Sequence, residues 1–345
     1  MGPDPAVAAV RLAVRRGLAG LDPQALVLAA CSGGPDSLAM SAALAFEAPR
    51  LGLRAGAVTV DHGLQPGAAD QAELTGVTLR GLGLDPVHCL RVRVAARGAA
   101  GPFPGPEAAA RQARYAAIDA AAVECGAAAV MLGHTIDDQA ETVLLGLARG
   151  SGARSLAGMQ GVSGHYLRPL LGLRREQTRA ACSALGLAAW QDPQNSDPGF
   201  ARTRVRQQIL PMMEELLGPG ITEALARTAD LLRADADALD TLADEAAGRL
   251  MPGWGASAAD GGPAGAGTAP ALDVAALAEL PTAVRTRLLK RAAIAAGAPA
   301  GSLSSLHVTQ LDALVTSWHG QRWADLPGGI RCQRRYGRLH FTTRS

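Results

Sequence analysis

Aromatic residues and lysine are scarce in this chain of 345 residues. Phe, Trp and Tyr together make up 3% of the sequence, which disfavours a single-strand-binding module that stacks bases on many rings. Lys290 is the only lysine among the 33 Lys and Arg residues. A phosphate-binding loop of the GxxxxGK[ST] type is therefore excluded, as is a Schiff-base lysine in the first two thirds of the chain.

The sequence also lacks paired cysteines and long apolar runs. Its five cysteines are scattered and form no CxxC pair, which argues against a disulfide scaffold or a Cys-rich zinc site. No stretch approaches the roughly 18 apolar residues of a membrane span. The N-terminal segment alternates Ala and Val with Arg, as in a surface helix rather than a signal peptide. We therefore expect a cytoplasmic protein that does not enter a membrane.

What the chain has is enough apolar sequence for two folded domains. Hydrophobic residues make up 48% and charged residues 19%, so global disorder is unexpected. The length suits two domains of about 150 residues each. The net charge is only +2, so any affinity for nucleic acid must come from local patches of arginine.

The first part of the chain repeats one pattern, in which a short apolar run is followed by a turn and an amphipathic helix. Such runs occur at 25–30, 55–60, 86–94 and 127–132. The alternation predicts an α/β fold with a doubly wound, mostly parallel sheet. Ligands of such sheets bind beyond the carboxyl ends of the strands. Those ends are Cys31–Ser37, Asp61–Gly63 and Gly133–Glu141.

A smaller, mainly helical domain is expected to follow. We assign residues 1–212 to the α/β domain and 213–250 to a long connecting helix, which would serve a homodimer as readily as a domain junction. Residues 251–270 are rich in Gly, Pro and Ala and predict a flexible insertion. Residues 271–345 form the C-terminal domain, and the terminal RCQRRYGRLHF alternates around a Tyr-Gly turn as a hairpin does.

A glycine-rich turn follows the first apolar run and opens a helix. Its glycines permit a sharp bend and bring backbone N–H groups close to an anion, while the helix N-terminus adds partial positive charge. Two serines add hydroxyl donors. The alternative is a structural strand-to-helix turn with Ser or Asp as a cap. The full hexapeptide favours a pyrophosphate site formed by Ser32, Gly33, Gly34, Pro35, Asp36 and Ser37.

Three carboxylates and a histidine form the most specific group of candidate site residues in the sequence. Asp137, Asp138 and Glu141 share one helix face near its N-terminus, and His134 precedes them. Some acid is expected there merely to complement the helix dipole. Three crowded carboxylates repel one another unless a cation joins them, however. That cation is either Mg²⁺, which prefers oxygen ligands, or the ammonium group of free lysine, and the sequence does not decide which carboxylate serves which.

These motifs together resemble those of the tRNA(Ile)-lysidine synthetases, members of the PP-loop ATP pyrophosphatases. SGGPDS resembles the SGGxDS signature of the PP-loop, and five further segments occur in the family's order and spacing. They are VDHGLQPGAADQAE (60–73), ARQARYAAI (110–118), LGHTIDDQAETVLLGLARGSG (132–152), LRPLLGLRREQ (167–177) and DPQNSDPGFARTRVRQQILP (192–211). The resemblance covers residues 25–250 well and the remainder weakly.

The resemblance implies a Rossmann-like PP-loop fold and a ligase. ATP would adenylate the wobble cytidine of isoleucine tRNA with a CAU anticodon, and L-lysine would then displace AMP. It also implies that Asp61 and His62 line the nucleotide pocket and that Arg111 and Arg114 contact phosphate or tRNA. Without the family, Asp61 and His62 would merely begin a turn, and Arg111 would pair with Glu107. We assign Mg²⁺ to Asp36 and Asp137.

Arginine is concentrated before the long helix. Between Arg168 and Arg206 there are seven arginines against three acidic residues, ending in Arg202, Arg204 and Arg206. A guanidinium fork matches phosphate geometry, so this run predicts a tRNA-binding track. The family commonly has Asn where this chain has Thr203. The stretch from Arg322 adds six arginines and one Asp, although charge runs are more often solvated faces.

Two other functions fit parts of the same pattern. A PP-loop tRNA thiolase would also adenylate a base, but such enzymes use paired or catalytic cysteines. A non-catalytic ATP-binding module would need neither the carboxylates nor the arginine run. His165, Trp190 and Trp254 have no evident partners in the sequence and are interpreted as packing or loop residues.

Overall fold

The computed structural model describes residues 2–61, 67–92, 106–150, 152–190, 197–250 and 271–343, with side chains in the helix from Pro106 described from residue 110 onward. His62, Trp254 and the predicted insertion at 251–270 lie outside these residues. The chain divides into two compact units, Met1–Leu232 and Arg233–Ser345.

The first unit is built on a six-stranded sheet in the order β3-β2-β1-β4-β6-β5. Every pairing is parallel except that of β5 with β6, which confirms the predicted sheet. Because β1 has β2 on one side and β4 on the other, the chain reverses its winding there. The strands are β1 Leu26–Ala30, β2 Arg54–Asp61, β3 Val87–Arg91, β4 Ala127–Leu132, β5 Val162–Ser163 and β6 Tyr166–Leu167.

Helices cover both faces of this sheet. Successive side chains of a strand point to opposite faces, and in β1 Val27 and Ala29 join the core beneath α1, α2 and α7. Leu26 and Leu28 join a second core beneath α4. The helices are α1 Pro5–Leu18, α2 Pro35–Glu47, α3 Ala68–Gly81, α4 Pro106–Glu124, α5 Ile136–Ala148, α6 Ala153–Leu156, α7 Arg175–Ala184, α8 Ala201–Arg204 and α9 Leu210–Leu217. Val205–Ile209 is a π-helical segment between α8 and α9.

The helix predicted over 213–250 is two helices. The chain breaks after α9 at Gly218 and Gly220, whose φ angles are 97° and 96°, values that glycine adopts without steric strain. Glu214 compensates for the break, because its carboxylate accepts hydrogen bonds from the backbone N–H groups of Gly220, Ile221 and Thr222 at 2.6–3.1 Å. The next helix, α10 Ile221–Leu250, starts on this cap and crosses the boundary between the two units.

The second unit combines helices with a four-stranded antiparallel sheet in the order β7-β10-β9-β8. The sequence predicted only its hairpin, β9–β10, because β7 and β8 are too short to show an alternating pattern. Leu272, Cys332 and Leu339 of the sheet pack with Leu288 and Leu311 of the helices in one buried core. The elements are β7 Leu272–Asp273, α11 Val274–Ala278, α12 Thr282–Ala295, α13 Ser305–Thr316, β8 Ala324–Leu326, β9 Ile330–Arg335 and β10 Arg338–Thr343. None of the described helices is long and apolar enough to cross a membrane.

Candidate active site

A cavity of about 1310 Å³ opens at the carboxyl ends of β1 and β4. This is the edge at which a doubly wound sheet binds its ligands. The turn after β1, the start of α5, the start of α7 and the arginines of α8 and the π-helical segment all contribute to its lining. The structure therefore brings together four of the sequence motifs that lie far apart along the chain.

The glycine-rich turn is shaped by close backbone packing. Gly33 has a φ of 80°, and a Cβ there would lie 2.6 Å from Thr75 Oγ1, so only glycine fits. The Gly33 carbonyl accepts a 2.9 Å hydrogen bond from the backbone N–H of Trp190. At the end of β4, a Cβ on Gly133 would lie 3.1 Å from the backbone nitrogen of Ser37. Two neighbouring segments thus hold the turn from either side.

The two serines of the turn occupy different environments. Ser37 is buried, accepts a 3.2 Å hydrogen bond from the Ser32 N–H and donates a 2.9 Å bond to the Gly34 carbonyl. It braces the turn. Ser32 is exposed and lines the cavity. Helix α2 starts at Pro35 without a side-chain cap, so its first N–H groups remain suited to an anion.

Asp61 ends β2 and is not among the residues that line this cavity, although the preceding residue, Val60, is. Asp61 as a whole residue is 6% exposed, and its Oδ2 accepts a 3.0 Å hydrogen bond from Arg91 Nε. Because His62 is not described, the structure gives no position for the second residue of the predicted pair.

The acidic cluster is neutralised by arginines of this chain. Glu141 is fully buried and receives three guanidinium groups, from Arg175, Arg202 and Arg206. The shortest contacts are 2.6 Å from Arg206 Nε and 2.8 Å from Arg202 Nε. A buried carboxylate is stable only when it is paired in this way. The sequence predicted that a cation must neutralise these carboxylates. It did not identify Arg175, which supplies part of that positive charge.

Arg175 also joins the other carboxylates. Its Nη2 donates to Asp138 Oδ1 at 2.8 Å, its backbone N–H donates to Asp137 Oδ2 at 2.8 Å, and its Nε lies 3.5 Å from Asp36 Oδ2. Burial alone would raise the pKa of Asp138, but the guanidiniums of Arg175 and Arg202 and the hydrogen bond from the Thr135 N–H together outweigh it and lower that pKa. Arg175 is therefore the centre of the cluster, although the sequence showed it only within the LRPLLGLRREQ motif.

Asp36 and Asp137 are the carboxylates whose setting suits a further cation. Burial raises the pKa of Asp36, against a hydrogen bond from Thr178 Oγ1 and the nearby Arg175. Both side chains line the cavity, and Asp36 stands in the first turn of α2. No three His, Cys, Asp or Glu side chains of the described ranges are grouped as a complete metal site. Mg²⁺ commonly takes only one or two carboxylates and completes its shell with phosphate and water, so Asp36 and Asp137 supply ligands of the type and number that it uses.

His134 lies between the end of β4 and the cluster. Burial lowers the pKa of its imidazole to about 4, with Arg168, Arg202 and Arg111 acting in the same direction and Asp138 opposing. The ring is therefore neutral near pH 7. Its Nδ1 is buried without a hydrogen-bond partner among the described residues, and the side chain lines the cavity.

Among the arginines of α4 and of the 202–206 run, Arg204 is the one that does not line the cavity. Arg111 and Arg114 line the cavity beside Tyr115, and burial, then Arg111, lowers the pKa of Arg114. Arg204 instead donates to the carbonyls of Pro198 and Gly199 at 2.7 and 3.0 Å. The side chain of Glu107 is outside the described residues.

Two residues interpreted from the sequence as packing residues have specific positions. Trp190 lines the cavity in addition to holding Gly33. His165 lies with its Nε2 3.1 Å from Asp119 Oδ1, away from that cavity. A turn contact such as that of Trp190 leaves no periodic signal, because it joins residues far apart in sequence.

Comparisons with known proteins agree with this geometry. A family model described as a PP-loop domain matches residues 11–213, and one described as a TilS substrate binding domain matches residues 272–340. The chain is 57% identical to a tRNA(Ile)-lysidine synthase of Thermobifida fusca, over 98% of each chain. It is 52% identical to one of Streptomyces coelicolor, over 98% of this chain and 99% of the relative.

A solved structure of lower similarity shares the fold. It is the U34-tRNA thiolase NcsA from Methanococcus maripaludis with its 4Fe–4S cluster, at 19% identity and a TM-score of 0.54, covering 66% of this chain and 80% of that one. At this identity the likeness extends to the PP-loop architecture alone.

Proposed function

Since the chain belongs to the tRNA(Ile)-lysidine synthase family, we propose that it is the ligase that joins L-lysine to the wobble cytidine of isoleucine tRNA with a CAU anticodon. ATP is consumed and AMP and pyrophosphate are released. The proposed place of reaction is the cytoplasm, where ATP and tRNA occur together. The roles of individual residues given below are part of the proposal.

One observation carries the assignment of the site. The lysine-free turn at Ser32–Ser37, the neutral His134 and the arginine-paired acidic cluster all face one cavity of about 1310 Å³, which offers room for ATP and a second ligand. A turn that served only as a structural connection would require neither this cavity nor the converging charges.

The triphosphate is proposed to bind the glycine-rich turn. Ser32, the bare backbone of Gly34 and the first N–H groups of α2 supply hydrogen-bond donors and partial positive charge. Arg202 and Arg206 reach the same cavity and match phosphate oxygens with their planar forks. Asp36 and Asp137 would hold Mg²⁺, which when bound would screen the repulsion between the phosphates and the carboxylates.

Adenylation gives the ring a leaving group. The cytosine ring carbonyl oxygen attacks the α-phosphorus of ATP, the bond to pyrophosphate breaks, and the base becomes an AMP ester. The lysine ε-amine then attacks the activated ring carbon, the carbon–oxygen bond breaks, and AMP leaves. The base must be unstacked from the anticodon loop to reach the cavity. A neutral His134 can donate a hydrogen bond to a ligand in the cavity or accept one from it, without adding charge.

Lysine recognition is assigned to the carboxylates. Asp138 and Glu141 are engaged most closely by arginines, so we assign the lysine ammonium group to the same pair that would hold Mg²⁺, Asp36 and Asp137, with the two cations sharing these carboxylates. An amine must lose a proton to attack, and a carboxylate beside it can accept that proton.

The direct test is to incubate the protein with ATP, labelled lysine and the isoleucine tRNA. ATP-dependent label in the tRNA, with one AMP released for each lysine joined, supports the proposal. In a parallel reaction Asp36→Asn should lose AMP formation and keep the thermal unfolding midpoint of the parent. AMP release at the parent rate by this variant would remove Asp36 from the mechanism.

The two alternatives give different results in the same assay. A thiolase would transfer sulfur, and no three His, Cys, Asp or Glu side chains of the described residues are grouped so that they could hold a metal ion. A non-catalytic module would bind ATP without releasing AMP. Labelled lysine in the tRNA distinguishes the ligase from both.

A further inference from the structure

The hairpin β9–β10 of the second unit ends in a turn whose backbone does not suit its sequence. Tyr336 and Gly337 have φ angles of 48° and 73°, so both are left-handed. Two-residue hairpin turns with positive φ at both positions prefer Asn-Gly or Gly-Gly. Tyrosine at the first position is strained, because its Cβ crowds the following carbonyl.

The ring of Tyr336 receives no compensating contact within the fold. It is 101% exposed, the highest exposure among the described large hydrophobic side chains. An aromatic ring in water forgoes the free energy that burial would supply. Tyr336 therefore lowers the stability of the fold in two ways, through its strained backbone and through its solvent-exposed ring.

The charges beside the ring are unfavourable as well. Arg335 and Arg338 are direct partners across the two strands, and like charges in this position destabilise a sheet. Both are exposed and neither forms an ion pair with a described residue. Asp273, which faces Arg338 on β7, uses its carboxylate to accept a hydrogen bond from the Ala276 N–H.

We propose that this tip, Arg335–Arg338, binds an unpaired nucleotide of the substrate tRNA. The ring of Tyr336 stacks on the base, and the two guanidiniums bind the flanking phosphates, which removes their mutual repulsion. A ligand that carries a flat base between two phosphates offsets the backbone strain of Tyr336, the exposure of its ring and the repulsion between Arg335 and Arg338. The inference rests on the proposed function for its ligand, and the substrate-binding family model covers this tip.

The test relies on a substitution at Tyr336 that should increase the stability of the protein while it decreases the affinity for tRNA. Tyr336→Gly relieves the backbone strain, so the thermal unfolding midpoint should rise, while the dissociation constant for isoleucine tRNA should increase about fivefold or more. Tyr336→Phe keeps the ring and should bind within about twofold of the parent. Arg335→Gln and Arg338→Gln should each raise the midpoint and lower the slope of log affinity against log salt by about one.

A matched control is available in the first unit. Gln24 is the other described non-glycine residue with positive φ, at 65°, and it is exposed. Gln24→Gly should therefore also raise the unfolding midpoint but leave tRNA affinity unchanged. Binding of labelled ATP should be the same in all five variants.

Two results would overturn the inference. Unchanged tRNA affinity in Tyr336→Gly would show that the ring does not touch RNA. A change of oligomeric state in that variant, measured by sedimentation, would assign the ring to a protein interface instead. Lysidine formation by the parent protein is followed separately, because its absence would refute the proposed reaction while leaving the binding result for the tip intact.

Discussion

Glu141 and Arg206 stand 65 residues apart in the sequence and are joined by a 2.6 Å hydrogen bond from Arg206 Nε to Glu141 Oε1. A second bond, from Arg206 Nη2 to Glu141 Oε2, measures 3.0 Å. The pair connects α5 with the π-helical segment. It fixes a guanidinium of the arginine run at the cavity wall, so the acidic cluster and the arginine run act as one structural unit.

Removing the Glu141 carboxylate should destabilise the first unit strongly. In Glu141→Gln three guanidiniums lose a buried anionic partner, which should lower the free energy of unfolding by about 3 kcal/mol or more. Urea denaturation followed by circular dichroism measures the change. Glu73→Gln, an exposed glutamate on α3, is the control and should be neutral. Equal unfolding energies in both variants would show that Glu141 does not stabilise the cluster.

The arginines of the 202–206 run should separate by function. Arg206→Gln should raise KM for ATP about tenfold, because its guanidinium reaches the cavity, with little effect on the salt dependence of tRNA binding. Arg204→Gln should leave KM for ATP unchanged, because Arg204 contacts only the carbonyls of Pro198 and Gly199 among the described residues. Steady-state kinetics at several ATP concentrations measure both. If the run instead formed a track of contacts with tRNA phosphates, Arg206→Gln and Arg204→Gln would have the same effect on KM for ATP and on the salt dependence of tRNA binding.

The two glycines of the turn should respond differently to alanine. Gly33→Ala combines positive φ with a Cβ 2.6 Å from Thr75 Oγ1, so it should cost at least about 1–2 kcal/mol of stability. Gly34→Ala meets only Ser32 Oγ at 3.6 Å and should fold normally. It should nevertheless bind ATP more weakly, because Gly34 lines the cavity where the phosphates are proposed to bind and a methyl group there occupies part of that space. Calorimetric unfolding and ATP titration of each variant check this contrast.

His134 should make stability depend on pH. Burial lowers its pKa to about 4, whereas an unfolded histidine titrates near 6.5. Between these values the unfolded chain binds the additional proton. His134 therefore reduces stability as pH falls from about 6.5 to 4, by at most about 1.4 kcal/mol per pH unit.

The variant His134→Gln should lose that part of the acid sensitivity. Denaturation at several pH values between 4 and 7 gives the slope, and His319→Gln, at an exposed site, should retain the slope of the parent. Parallel slopes for all three proteins would place His134 in water rather than in the cavity lining.

Local patterns in the sequence were sufficient for the parallel sheet, the glycine-rich turn and the terminal hairpin. Each arises from neighbouring residues, through apolar runs, glycine conformations or strand alternation. The break between α9 and α10 was also encoded locally, in Gly218 and Gly220, but the surrounding helical pattern masked it. Strands β7 and β8 carry too few residues for any periodicity to show.

By itself the sequence determined the parallel sheet and most helices of the first unit, the expected position of the candidate site at the strand ends and the membership of a ligase family, because these follow from short-range pattern and from motif order. Only the tertiary structure decided which charges meet. It placed Arg175 at the centre of the acidic cluster, turned Arg206 inward while leaving Arg204 on local carbonyls, and buried His134. Ion pairs join residues that are distant along the chain, and their geometry depends on packing that no local pattern encodes.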